Sequence, residues 1–285
     1  MNRTFFIKAG MSACAVLAML AAAQTGRTRS GDEWRIKRSG DSGKVHFTIE
    51  RSRPGSRWVS SSDVPLDHFR GLSLAALDGT GAAKFELVRD AARLLCTGQF
   101  TNGRGIGTFQ LAPNPQFASD LQRLGYEAPS DQEIFSMLMS DVSIEFARGV
   151  KDAGVASTTK QLVDMRIHGV DLDYVRQMRA SGYTTLTAPD YVEMRVHGVT
   201  PELVTELKRA GYDMPAKKIV EMRIHGVTPA YISELTAYGM KPTASEVVQM
   251  RIHGVTGDYL RKLRDSGFQN LTPEKIVKLR IHGID

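Results

Sequence analysis

Cysteine is almost missing from this chain of 285 residues, with only Cys14 and Cys96 present. Two thiols so far apart supply no disulfide framework and no Cys-x-x-Cys redox or metal motif. His-Glu-x-x-His and Gly-x-Ser-x-Gly are absent too, so the zinc-peptidase and serine-hydrolase signatures are missing. Charge of one sign is also lacking. From Val142 onward there are 20 basic and 17 acidic residues, a near balance that does not supply the dense positive footprint a phosphate backbone attracts. These absences predict a protein that is not an enzyme and that holds no metal and no cofactor.

Long apolar runs are scarce as well. The one candidate, Ala9 to Ala23, covers 15 residues, short of the roughly 20 that span a bilayer. It follows Arg3 and Lys8 and ends in Ala21-Ala22-Ala23 before Gln24, the charged start, apolar centre and Ala-x-Ala site of a cleaved export signal. Residues 1–23 are therefore expected to be a signal peptide and 24–33 a polar linker. The destination is periplasmic or extracellular, with peripheral or anchored membrane association if the signal stays uncleaved. Cleavage would remove Arg3 and Lys8 and lower the formal charge from +6 to +4. Cys96 would then be the lone thiol, and beside Leu94 and Leu95 it reads as a small buried hydrophobe.

What the chain has in abundance is repetition. Arg166-Ile167-His168-Gly169 recurs as Arg195-Val196-His197-Gly198, Arg223-Ile224-His225-Gly226, Arg251-Ile252-His253-Gly254 and Arg280-Ile281-His282-Gly283, at steps of 29, 28, 28 and 29 residues. A fixed period in this range marks one supersecondary unit stacked on copies of itself. Gly125, Gly154, Gly182, Gly211, Gly239 and Gly267 keep the same period, so the array starts near Asn114. Its first unit carries Leu138, Ser140 and Asp141 where the others have Arg, His and Gly.

Each unit reads as two short helices. The first helices are expected to open at Ser143, Asp171, Thr200, Thr228 and Thr256, whose side-chain oxygens can accept a free helix-start amide. The second helices open at Thr158, Thr187, Thr243 and Thr272, with Pro215 as the departure, and each closes at the glycine after the histidine. Leu162, Val163, Met165 and Ile167, matched by Tyr191, Val192, Met194 and Val196 and by Ile219, Val220, Met222 and Ile224, form the expected buried ladder. Tyr174, Tyr191, Tyr231 and Tyr259 suit either that core or a partner contact.

Before the array the period is two. Val45, Phe47 and Ile49 alternate with polar residues, as do Phe85 and Leu87, and Gly- and Asn-containing turns punctuate the runs. Residues 34–113 are expected to form a small antiparallel β domain of five to seven strands. Gly103-Arg104-Gly105-Ile106-Gly107 joins two strand-like runs and opens no helix, so it reads as a hairpin and not as a phosphate loop. The fold class is α+β, with the β domain followed by an α-solenoid over 114–285 of about six two-helix repeats of 28–29 residues.

The repeated basic residues are the candidate site. Arg166, Arg195, Arg223, Arg251 and Arg280 can cap helix ends or form a ladder that grips carboxylates or phosphates. His168, His197, His225, His253 and His282 stand in the last helical turn, three of them four residues after a carboxylate: Asp164, Glu193 and Glu221. Helix spacing of roughly 8 to 10 Å keeps histidines of successive repeats from converging on one zinc ion, which needs bonds of about 2.1 Å.

The phrases over 198–212 and 271–283 resemble the C-terminal helical repeats of some bacterial β-lactam-sensing antirepressor-type metallopeptidases, and of exported bacterial proteins of unknown function. The resemblance covers the repeat region alone. It implies an extracytoplasmic module, and the peptidase's membrane helices and zinc motif have no counterpart here. The expected function is an exported, non-enzymatic interaction or scaffold protein that binds another protein or a cell-envelope component through its repeat surface. Two alternatives are a nucleic-acid-binding repeat that uses the arginine ladder, and a hydrolase with a site at His46 or His68 in the β domain.

Overall fold

The computed structural model describes residues 32–53 and 56–284. The expected signal peptide and positions 24–31 of the expected linker lie outside the described residues. Alternation of apolar and polar residues builds seven strands: β1 (Asp32–Arg38), β2 (Lys44–Arg53), β3 (Ser56–Pro65), β4 (Phe69–Arg70), β5 (Thr80–Val88), β6 (Ala92–Thr101) and β7 (Arg104–Pro113). They form one curled antiparallel sheet in the order β3-β2-β1-β7-β6-β5-β4. A 3-10 turn (Leu66–His68) precedes β4, and a five-residue helix, α1 (Leu74–Asp78), precedes β5.

Register puts every second side chain inside. Trp34 pairs with Ile49 and Ile36 with Phe47 across β1 and β2, and all four are buried. The β6–β7 hairpin turns at Asn102 (φ 46) and Gly103 (φ 81), which locates the glycine-rich stretch in a hairpin as its flanking strand patterns imply. Gly98 and Gly107 let the two strands approach closely, since a Cβ on Gly107 would meet the Thr97 backbone and a Cβ on Gly98 would lie 2.8 Å from the Trp34 ring. The indole Nε1 donates to the carbonyls of Thr97 at 3.1 Å and Thr108 at 2.9 Å.

Twelve helices follow in six pairs. The first helices are α2 (Pro115–Arg123), α4 (Ile144–Asp152), α6 (Leu172–Ala180), α8 (Pro201–Arg209), α10 (Pro229–Ala237) and α12 (Gly257–Asp265). The second helices are α3 (Asp131–Ser140), α5 (Thr159–Ile167), α7 (Ala188–Val196), α9 (Ala216–Ile224), α11 (Ala244–Ile252) and α13 (Pro273–Ile281). Second helices stack on second helices, and α2 through α10 stack in a parallel row of first helices. Helices of nine residues are marginal alone, so this stacking is what holds them.

Caps explain why each helix starts and stops where it does. Ser143, Asp171, Thr200, Thr228 and Thr256 accept the third-residue amide of the first helices, and Thr158, Thr187, Thr243 and Thr272 do so for the second. Pro215 makes no side-chain cap. Every His-Gly end is a Schellman turn. At the first, the Val170 amide donates to the Met165 carbonyl at 2.8 Å and the Gly169 amide to Arg166 at 3.1 Å, with Gly169 at φ 72. In the opening unit Asp141 takes the left-handed position itself, at φ 57.

The chain divides into two compact units. One holds the described residues up to Asp67 with 71–84 and 96–110; the other holds 68–70, 85–95 and 111–285. Within the second, Arg89 donates to the carbonyls of Leu138 at 2.6 Å and Met139 at 2.9 Å, closing the carboxyl end of α3. Asp90 does the same for the start of α4, accepting the Ile144 amide at 3.0 Å.

Candidate binding surface

Four arginines of the ladder are partly covered by the fold, and Arg251 is exposed. Arg195 places its guanidinium 4.8 Å from the centre of the Tyr174 ring and donates from Nε to the Gly169 carbonyl at 3.0 Å. It thereby caps the preceding second helix and not its own. Arg166 lies over Phe146 at 5.3 Å, Arg251 over Tyr231 at 4.8 Å and Arg280 over Tyr259 at 4.7 Å. Such cation–π contacts contribute about 0.5–2 kcal/mol each. Arg223 is the exception, because its repeat carries Leu203 where the others have an aromatic ring; its head passes close to Gly198.

The rings are fixed in turn by the next repeat. Tyr174 donates its hydroxyl to the Val199 carbonyl at 2.7 Å, Tyr231 to Val255 at 2.8 Å and Tyr259 to Ile284 at 2.8 Å. Burial pushes the hydroxyls of Tyr174 and Tyr231 up to about 12, although Arg195 and Arg251 pull in the opposite direction. Tyr174, Tyr191, Tyr231 and Tyr259 are all buried. Their place is the core, not an interface.

Each histidine is the cap residue that directly follows a second helix, and it holds the helix end through its amide: His168 donates to the Asp164 carbonyl at 3.1 Å. None of the five imidazoles bonds to a carboxylate among the described residues, and Glu221 pairs instead with Lys218 at 2.7 Å. His168, His225 and His282 are exposed, while His197 and His253 are partly covered. Between α5 and α7 a groove of about 580 Å³ is lined by Gln161, Asp164, His168, Val192 and Glu193. A smaller one of about 290 Å³ between α11 and α13 is lined by Gln249, His253, Val277, Lys278 and Ile281.

The residue between arginine and histidine departs from the expected ladder. Ile167, Val196, Ile224, Ile252 and Ile281 do not join the core; they are 62, 55, 56, 47 and 57 % exposed. In the first four units this residue lies two past a buried methionine, about 200° around the helix, which turns the side chain outward. Lone exposed aliphatics are ordinary, but here one occurs at the same position in five successive units. The first helices show no such row. Their exposed positions are Asp173, Arg176, Gln177 and the small Ala180 in α6, and Asp258, Arg261, Lys262, Arg264 and Asp265 in α12.

Of the two β-domain histidines, only His46 bonds to a carboxylate among the described residues. Asp63 accepts from the His46 ring at 2.9 Å and from the Ser39 hydroxyl at 2.9 Å, and these two bonds, with that of His46 first, hold its carboxyl below the usual range. His68 has a buried Nδ1 without a hydrogen-bond partner among the described residues. Cys96 is buried, and burial pushes its thiol well above its ordinary value, which suppresses the thiolate. Among the described residues no group of three or more His, Cys, Asp or Glu is placed to hold a metal ion, and no helix is long and apolar enough to cross a membrane.

No protein-family model matches the chain, and none of the curated proteins does.

Proposed function

We propose that this is an exported, non-enzymatic interaction protein whose helical array binds a protein or another component of the cell envelope along the outer face of its second helices. The observation that carries the reading is the row Ile167, Val196, Ile224, Ile252 and Ile281, exposed beside the histidines. Methionine, arginine, glycine and valine in the same phrase each have a role in holding the repeat. The aliphatic residue has none, and a repeated apolar position on the surface suits a partner that meets several units at once.

The arginine ladder, by contrast, is a poor nucleic-acid interface. Four of its five heads, those of Arg166, Arg195, Arg251 and Arg280, are stacked on rings, and an arginine so engaged must leave that contact to reach a phosphate.

The test is chemical crosslinking of the mature protein in an envelope extract, beside a variant carrying Val196→Ser, Ile224→Ser and Ile252→Ser that is shown by circular dichroism to remain folded. The reading requires a component captured by the parent and lost from the variant. A component captured equally by both would place binding elsewhere.

A further inference from the structure

On the solvent face of the sheet, two cross-strand rows lie side by side. Lys37 is the register partner of His46 on β2 and of Arg104 on β7, and Arg35 stands likewise between Thr48 and Ile106. With Gln99 and Thr101 these side chains line a hollow of about 560 Å³, a size that suits a small molecule. All of them belong to one compact unit.

The charges in this hollow are not arranged for stability. Like charges directly opposite on antiparallel strands destabilise a sheet, and Lys37 faces Arg104 in that way. Neither cation has an ion-pair or hydrogen-bond partner among the described residues. No carboxylate lines the hollow. Glu33 and Glu50 approach Arg35 at 3.5 and 3.4 Å, Glu50 is held by Arg57 at 2.7 Å, and Asp63 is taken up by His46 and Ser39. The neighbouring acids are thus committed to other groups, and the opposed pair is left with two uncompensated positive charges.

We propose that this hollow binds the phosphoryl group of a small phosphate monoester. Two opposed cations match a dianion. The Arg104 guanidinium can meet two of its oxygens, the Lys37 ammonium supplies a point charge, and the hydroxyls of Thr48 and Thr101 can donate to the rest. Ile106, 53 % exposed at the edge, offers an apolar wall to the carbon skeleton of the ester. The site is independent of the helical array and of the partner proposed for it.

Calorimetric titration of the protein with inorganic phosphate and with a hexose phosphate, at constant ionic strength and with the free hexose as blank, tests the assignment. Saturable 1:1 binding of either phosphate is expected, weakened by about 10- to 100-fold in Lys37→Gln and in Arg104→Gln. Lys84→Gln, an exposed cation of the same unit outside the hollow, is expected to bind as the parent does. Removing either opposed cation also removes repulsion, so both hollow variants should melt no lower than the parent, which separates lost binding from lost folding. Absence of saturable binding, or an equal fall in all three variants, would overturn the proposal.

Discussion

Four neighbouring residues in each repeat perform four different tasks, and their consequences on mutation should differ accordingly. Glycine makes the left-handed turn: Gly226 stands at φ 70, so Gly226→Ala should cost about 1 kcal/mol even though nothing but the Arg251 side chain lies near the added carbon. Urea unfolding measures it. Tyr231, which supports Arg251, loses its bond to the Val255 carbonyl in Tyr231→Phe, at an expected cost of about 1–3 kcal/mol for the carbonyl left unpaired. Alkali should act on the same bonds. Tyr174, Tyr183 and Tyr231 have hydroxyls raised to about 12 against about 10 unfolded, so the stability they lend is complete below pH 10 and falls as pH rises through about 12. Their tyrosinate absorbance should appear together with loss of helical dichroism; ionisation near pH 10 with the helices intact would contradict this. At this scale the sequence was only partly legible. Arginine at the end of a helix suggests capping, but its ring partner lies 20 or 21 residues earlier on another helix, and no local pattern links Arg251 to Tyr231.

Within an element, the second helix divides core from surface over two positions. Met222 is fully buried and Ile224 is 56 % exposed. Met222→Ala should therefore cost about 2–5 kcal/mol, whereas Ile224→Ser should change stability by no more than about 0.5 kcal/mol. Equal losses in thermal unfolding would mean that the outward aliphatic row is structural after all. The helix boundaries were legible because Ser, Thr, Asp and Gly act locally, through amides and carbonyls within a few residues. The outward turn of Ile224 was not. It follows the buried Val220 by four residues, a core spacing, so periodicity alone counts both as inside.

Across the whole array, each unit meets only its neighbours, which makes stability close to a sum of repeat and interface terms. Removing 256–285, the last helix pair, should leave α2 to α11 folded with a lower unfolding midpoint, as followed by circular dichroism in guanidinium chloride. Complete unfolding of the shortened chain would argue against a modular array. The repeat count was legible from the 28- to 29-residue period, and so was a β region from alternation. The inclusion of residues 85–95 in the same compact unit as the array was not. It depends on Arg89 and Asp90, two charged residues in a strand–turn segment whose role comes from the ends of α3 and α4 that they happen to meet.

In the proposed function, the outer face of the second helices is the binding face and the arginines behind it are scaffold. Amide hydrogen exchange of the full chain, with and without the crosslink-identified envelope component, reads this most directly. Added protection is expected in the last turns of α5, α7, α9 and α11, around Ile167, Val196, Ile224 and Ile252, with α6, α8 and α10 unchanged. Protection confined to those first helices would contradict it.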